Sequence, residues 1–82
     1  MEKSVFTSDY AVLVDTLREV RQAAGITQVE LAKKLGQTQS FVSKLENGQA
    51  RLDVIQLRTI CHVLGTTLPA FVRKLEKQLA KA

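Results

Sequence analysis

Apolar residues recur at intervals of three and four positions along most of the chain, a spacing that places them on one side of an α-helix. Five such stripes occur, separated by polar residues. Their members are Leu13, Leu17, Val20 and Ala24; Leu31, Ala32 and Leu35; Phe41, Val42 and Leu45; Val54, Leu57, Ile60, Cys61 and Leu64; and Leu68, Phe71, Val72, Leu75 and Leu79. Tyr10 and Val14 lie beside the first stripe and are expected to meet an N-terminal segment or a second subunit. The pattern predicts an all-α protein of five helices, in which the stripes of the first and fourth helices face the core.

Capping residues and glycines predict where these helices begin and end. Thr27 with Glu30, and Asp53 with Gln56, have the spacing of a capping box, and Thr38 is a further N-cap residue. The predicted helices cover 8–24, 27–35, 38–47, 53–64 and a last segment from 67 onward, and a glycine follows each of the first four.

The second and third predicted helices form a pair around a tight glycine turn. Phe41, Val42 and Leu45 point inward on the third helix, which leaves its outer face polar. That face carries Gln39, Ser40, Ser43, Lys44 and Asn47. Glutamine can pair with adenine, lysine can donate to guanine, and serine can serve either base. The pattern fits a helix presented to the DNA major groove, and equally two amphipathic helices in a protein that binds no DNA.

This pair resembles the helix-turn-helix of the phage-repressor family, also called the Cro/repressor or XRE type. The matching residues are Thr27-Gln28, Glu30-Leu31-Ala32, Leu35-Gly36, Thr38-Gln39, Ser43 and Leu45-Glu46-Asn47-Gly48. The similarity extends over residues 13–72. It implies a five-helix, phage-repressor-like DNA-binding domain, here with an extended C-terminal helix, whose reading helix is 38–47.

The resemblance also implies a role for individual residues. The base-reading positions correspond to Gln39, Ser40 and Lys44, with Ser43 as a further candidate. The phosphate-binding positions correspond to Gln28, Asn47 and Arg51. Thr38 is a further candidate, because it lies at the positive N-terminal end of the third helix, where free N–H groups attract anions. The family's structural ion pair corresponds to Arg21 and Glu46, which would tie the first helix to the reading helix. Each of these side chains could instead be a solvated surface group.

The C-terminal stripe extends beyond the part of the chain that the family covers. We expect an arm at 1–7, the helix-turn-helix domain at 8–72 and a helical extension at 73–82. The extension carries apolar residues that need a partner. They could form a dimer surface through Phe71, Leu75 and Leu79, pack back on the chain's own body, or lie on a membrane surface.

Composition narrows the classes of function. The chain has 82 residues, 45% of them hydrophobic, with a net charge of +4 and one cysteine. That length supports one small core and no enclosed active-site cavity. We find no catalytic motif, and His62 beside Cys61 lacks a second ligand pair for zinc, so the sequence predicts no enzyme, no cofactor and no metal site. The single cysteine fits a reducing, cytoplasmic location, and no apolar run is long enough to span a membrane.

The sequence therefore predicts a transcriptional regulator that binds specific double-stranded DNA. The resemblance implies that it acts as a repressor and as a homodimer on a near-palindromic operator. The alternative is an antitoxin-like or accessory module that binds a protein partner, such as a toxin, as well as DNA. A helical module with no affinity for DNA is a third possibility.

Overall fold

The computed structural model describes residues 8–81, which form five helices and the loops that join them. The helices are α1 (Ser8–Ala23), α2 (Gln28–Leu35), α3 (Gln39–Glu46), α4 (Val54–Val63) and α5 (Leu68–Lys81). Each bound lies close to the one predicted, and the all-α, five-helix class is confirmed. The expected arm at 1–7 lies outside the described residues. Within 8–81, no helix is both long enough and apolar enough to cross a bilayer.

The predicted caps form in the structure. The Thr27 hydroxyl oxygen accepts from the Glu30 backbone N–H at 3.1 Å, and the Glu30 carboxylate accepts from the Thr27 N–H at 2.8 Å. Asp53 and Gln56 make the same reciprocal pair at the start of α4. At the turn between α2 and α3, Gly36 has φ 69° and ψ 31°, a left-handed conformation that favours glycine. These local signals fix the ends of the two helices that carry the candidate site.

The core lies where α1 and α4 meet the other three helices. Helix α1 packs on α3 and α5, α2 packs on α3 and α4, and α5 packs on α1 and α4. The buried cluster comprises Leu17, Leu31, Ala32, Val42, Leu45, Leu57, Ile60, Cys61, Leu64 and Phe71. Helix α5 therefore lies on the side of the molecule away from α2 and α3.

The buried face of α1 differs in part from the predicted one. Tyr10 and Val14 are 7% and 2% exposed, and they continue through Leu17 to Arg21 along one side of the helix. Ala24 is exposed beyond the helix end, so its assignment to the core was wrong. The buried face differs because α1 packs against both α3 and α5, and periodicity alone does not show which side of α1 these two helices cover.

Helix α4 shows a second correction. Leu57, Ile60 and Cys61 are buried as predicted, but Val54 is 59% exposed and Ile55 is 67% exposed. Val54 was therefore wrongly placed in the core; it is the first residue of α4 and lies on an exposed side of the helix. Burial raises the pKa of the Cys61 thiol.

Helix α5 packs back on its own chain. The Phe71 side chain is 1% exposed and belongs to the core, and Leu68 and Leu75 pack against that core. The prediction that Phe71 contacts a second subunit is therefore wrong, because its surface is already covered by its own protomer. Leu79 is half-buried near the C-terminal end of α5.

Candidate nucleic-acid interface

The outer face of α3 presents the candidate base-reading side chains. Gln39, Ser40 and Lys44 are exposed, and Ser43 is half-buried. The opposite side of α3 packs into the core through Val42 and Leu45, which are 1% and 2% exposed. The core contacts therefore set the rotation of α3 about its own axis, and with it the direction of the polar face.

Gln39, at the start of that face, is connected to the interior through a second glutamine. The Gln39 amide nitrogen donates to the Gln28 amide oxygen at 3.5 Å, and the Gln28 amide nitrogen donates to Glu46 Oε1 at 3.0 Å. Gln28 is the first residue of α2, and Glu46 is the last residue of α3. The three side chains thus link both ends of α3 to the start of α2.

Glu46 is 1% exposed and is held by an arginine from α1. Arg21 Nε donates to Glu46 Oε2 at 2.6 Å, and Arg21 Nη2 donates to Oε1 at 2.9 Å. Arg21 Nη1 donates to the Ile26 carbonyl at 2.8 Å. This bidentate contact satisfies the hydrogen-bonding oxygens of the buried carboxylate and joins α1 to the end of α3. Arg21 itself is only 7% exposed.

A second arginine reaches the same carboxylate, and the sequence reasoning missed it. Arg18 Nη2 donates to the Glu46 backbone carbonyl at 2.5 Å, and Arg18 Nε lies 3.7 Å from Glu46 Oε1. Arg18 also donates to Asp15 at 3.0 Å. Since Arg18 lies one helical turn before Arg21, its spacing was the available signal. A positive charge here also meets the negative end of the α3 dipole.

The N-terminal ends of α2 and α3 supply backbone donors on the side of Gln28 and Gln39. Thr38 caps α3 by accepting from the Phe41 N–H at 3.1 Å, and its hydroxyl hydrogen remains a donor. Glu30 lies in the first turn of α2, where hydrogen bonds from Thr27, together with nearby lysines, lower the pKa of its carboxyl group. Free N–H groups at a helix N-terminus attract anions such as phosphate.

The far end of α3 leads into a loop that carries Arg51. Asn47 caps α3, and its side-chain amide nitrogen donates to the Ser43 hydroxyl at 3.4 Å. Arg51 is exposed, and its guanidinium carbon lies 4.7 Å from the centroid of the Tyr10 ring. Tyr10 also hydrogen-bonds the loop backbone, a contact that the sequence reasoning did not find because it joins residues about forty positions apart. Arg51 is thus oriented by a residue of α1.

The structure separates the predicted residues into two groups. The candidate base and phosphate contacts lie on α2, α3 and the loop that follows α3. The candidate dimerisation residues Leu75 and Leu79 lie on α5, which among the helices of the described chain packs on α1 and α4. An interface formed by α5 would therefore leave the outer face of α3 uncovered.

Comparison with known proteins agrees with this architecture. A helix-turn-helix family model matches residues 17–71. An XRE-family like protein from Pseudomonas syringae pv. tomato str. DC3000 is 53% identical, with 85% of each chain covered and a TM-score of 0.79. The clp gene regulator ClgR from Corynebacterium glutamicum is 26% identical, covering 90% of this chain and 79% of that chain, with a TM-score of 0.79.

A third structure shares the fold at lower identity. The restriction-modification controller protein C.Esp1396I was solved as a tetramer in complex with its natural 35 base-pair operator. Its sequence is 21% identical to this chain, the match covers 92% of this chain and 99% of that chain, and the TM-score is 0.83. No curated protein sequence matches the chain. The family model spans more than half of the chain, so the chain belongs to the helix-turn-helix family, within its XRE branch of DNA-binding regulators.

Proposed function

We propose that this XRE-family protein is a transcriptional repressor that binds a near-palindromic operator as a dimer, with α3 in the major groove. The observation that carries the proposal is the hydrogen-bonded series from Gln39 through Gln28 to the buried Glu46. It connects an exposed side chain of α3 to the first residue of α2. A contact between α2 and a phosphate would then set the register of α3 relative to the bases.

The outer face of α3 supplies the proposed base contacts. Gln39 is the main reader, because its amide can pair with the edge of adenine. Ser40 and Lys44 lie beside it and one turn later, and Lys44 would donate to guanine. Ser43 is half-buried and hydrogen-bonded to Asn47, so we give it the smaller share of base contact.

Phosphate contacts are proposed at both ends of this face. Gln28 and Thr38 lie at the N-terminal ends of α2 and α3, where backbone N–H groups also face an incoming phosphate. Asn47 and Arg51 lie at the other end, in and after the C-cap of α3. Two clamps flanking the reading helix would fix its register on the duplex.

A dimer would supply the specificity that one small domain lacks. Two reading helices about 34 Å apart would meet successive major grooves on one side of the DNA. C.Esp1396I, which has the same fold, binds its operator as a tetramer. We propose that the α5 extension, residues 73–82 beyond the 8–72 domain, contributes to the dimer contact through Leu79 and the outer edge of Leu75.

The α5 contact is tested by Leu79→Glu. We expect this variant to sediment as a monomer with unchanged helicity, because a charge would be placed in the interface. Lys74→Glu, which lies on an exposed part of the same helix, is the matched control and should leave the dimer intact. An unchanged mass for Leu79→Glu would remove α5 from the interface.

The function itself is tested by selection. The purified protein is mixed with a random pool of short duplexes at physiological salt, and the retained DNA is sequenced. We expect a two-fold motif with half-sites about one helical turn apart. Retention without any enriched motif would leave only electrostatic binding and would favour the protein-partner function, for example as an antitoxin-like module.

A further inference from the structure

The loop between α3 and α4 has to hold Arg51 in place if this residue contacts the DNA backbone, as the proposed function requires. Arg51 is exposed, and it lies outside both helices. A long, freely rotating arginine loses side-chain entropy when it binds a phosphate. A contact that restrains the side chain beforehand lowers that cost.

Tyr10 provides three contacts to this short segment. Its hydroxyl donates to the Ala50 carbonyl at 3.1 Å and accepts from the Leu52 backbone N–H at 3.3 Å. These two groups belong to the residues on either side of Arg51. The Tyr10 ring lies under the Arg51 guanidinium, at 4.7 Å from the ring centroid. One side chain therefore contacts both the backbone that flanks Arg51 and the charged group itself.

Tyr10 is itself held firmly. It lies in the first turn of α1, is 7% exposed, and is followed on the same side of the helix by Val14 and Leu17, which are each 2% exposed. The same face of α1 then carries Arg21, which holds Glu46 at the end of α3. Helix α1 thus contacts the reading helix at its last residue and the loop that follows it.

We infer that Tyr10 is a positioning residue for DNA binding: it sets the loop conformation and the direction of the Arg51 guanidinium, and so prepares the phosphate contact. The inference rests on the proposed role of Arg51. A tyrosine serves both purposes because its ring attracts a cation and its hydroxyl can donate and accept at once. Neither phenylalanine nor leucine would do both.

The competing explanation is that Tyr10 only fills the core. Coupling between Tyr10 and Arg51 distinguishes the two. If Tyr10 acts through Arg51, its substitution should weaken DNA binding only when Arg51 is present. If Tyr10 only stabilises the fold, its effect on binding should be the same with and without Arg51.

The experiment is a double-mutant cycle measured by fluorescence anisotropy with a mixed-sequence duplex over a range of salt. The four proteins are wild type, Tyr10→Leu, Arg51→Ala and the double variant. We expect Arg51→Ala to reduce the salt slope by about one unit. We expect Tyr10→Leu to weaken binding about three- to tenfold, and to have no further effect in the Arg51→Ala background.

Two more variants guard against loss of folding. Tyr10→Phe keeps the ring but removes the hydroxyl bonds, so it should weaken binding less than Tyr10→Leu. Leu13→Ala, at a half-buried position of the same helix, is the control for general destabilisation and should leave affinity unchanged in the folded protein. Circular dichroism identifies the temperature at which every variant is folded.

The outcomes separate the inference from the proposed function. Equal effects of Tyr10→Leu in both backgrounds, or no effect in either, would overturn the positioning role while Arg51→Ala still weakens binding. If Arg51→Ala itself left affinity and salt slope unchanged, Arg51 would make no phosphate contact, and Tyr10 would have no positioning role in DNA binding.

Discussion

Replacing Arg21 by methionine should destabilise the fold more than any other change of an arginine in this chain. The substitution keeps much of the side-chain volume but removes the guanidinium that donates twice to Glu46. The Glu46 carboxylate is 1% exposed, so water cannot replace the lost donors. It would retain the amide of Gln28 at 3.0 Å and Arg18 at 3.7 Å.

The size of the effect follows from this remaining coordination. Removing one member of a buried ion pair costs about 3–5 kcal/mol. Arg18 is partly exposed and lies farther from the carboxylate, so it offsets only part of the loss, and we expect a decrease of about 3 kcal/mol in the free energy of unfolding. Because small domains have only about 5–15 kcal/mol in total, the variant should unfold at a clearly lower urea concentration.

Two controls make the result specific. Arg58→Met changes an exposed arginine of α4 and should alter the free energy of unfolding by less than about 0.5 kcal/mol. The double variant Arg21→Met/Glu46→Met removes both charges, and it should recover most of the loss because no buried carboxylate is left unpaired. Urea titration followed by circular dichroism measures all four proteins. A loss below about 1 kcal/mol for Arg21→Met, or a double variant as unstable as the single one, would show that the fold does not depend on Arg21 to neutralise the buried Glu46 carboxylate.

Three further predictions concern the rest of the fold. Gly36→Ala should cost about 1–2 kcal/mol in urea unfolding, because Gly36 is left-handed and an added Cβ would meet nothing within 4 Å, so the cost is that of the backbone alone. An unchanged midpoint would contradict that reading of the turn. Cys61 should react with a thiol reagent only when urea unfolds the protein, since its thiol is 0% exposed and burial raises its pKa; rapid labelling in buffer would contradict this. Hydrogen bonds from Thr27 lower the pKa of Glu30, so wild type should be more stable than Glu30→Ala at neutral pH, and that advantage should shrink as the pH falls through the lowered pKa of Glu30. An advantage that stayed constant from neutral to acid pH would show that the carboxylate charge is not involved.

The features that the sequence predicts best are local. Thr27, Thr38 and Asp53 cap the helices where the sequence places them, because a cap depends on residues only two or three positions away. The glycine at 36 ends α2 for the same kind of reason. Helix bounds therefore follow closely from the sequence.

The features that the sequence predicts poorly depend on how the helices meet. Periodicity gives the spacing of a stripe, but α1 is covered on more than one side, so its buried face also includes Tyr10, Val14 and the charged Arg21. Phe71 looked available to a partner because nothing in the sequence showed that α5 packs back on α1. Arg18 was missed because the family resemblance names only Arg21 as the partner of Glu46.

The candidate site divides in the same way. The polar face of α3 is readable from the sequence, since exposed Gln39, Ser40 and Lys44 follow from helical geometry and the buried stripe opposite them. The link from Gln39 to Gln28 and the contact of Tyr10 with the Arg51 loop require the tertiary structure. Their roles on DNA stay predictions until binding is measured.

Base reading by the outer face of α3 is tested by comparing the base preferences of wild type and Gln39→Ala. Both proteins are taken through the same selection from a random duplex pool, with Lys34→Ala as the control because Lys34 is an exposed lysine outside α3. We predict that Gln39→Ala loses about 1–3 kcal/mol of preference at a single base pair of each half-site and keeps the others. Equal weakening at every position, or an unchanged motif, would show that Gln39 does not read a base.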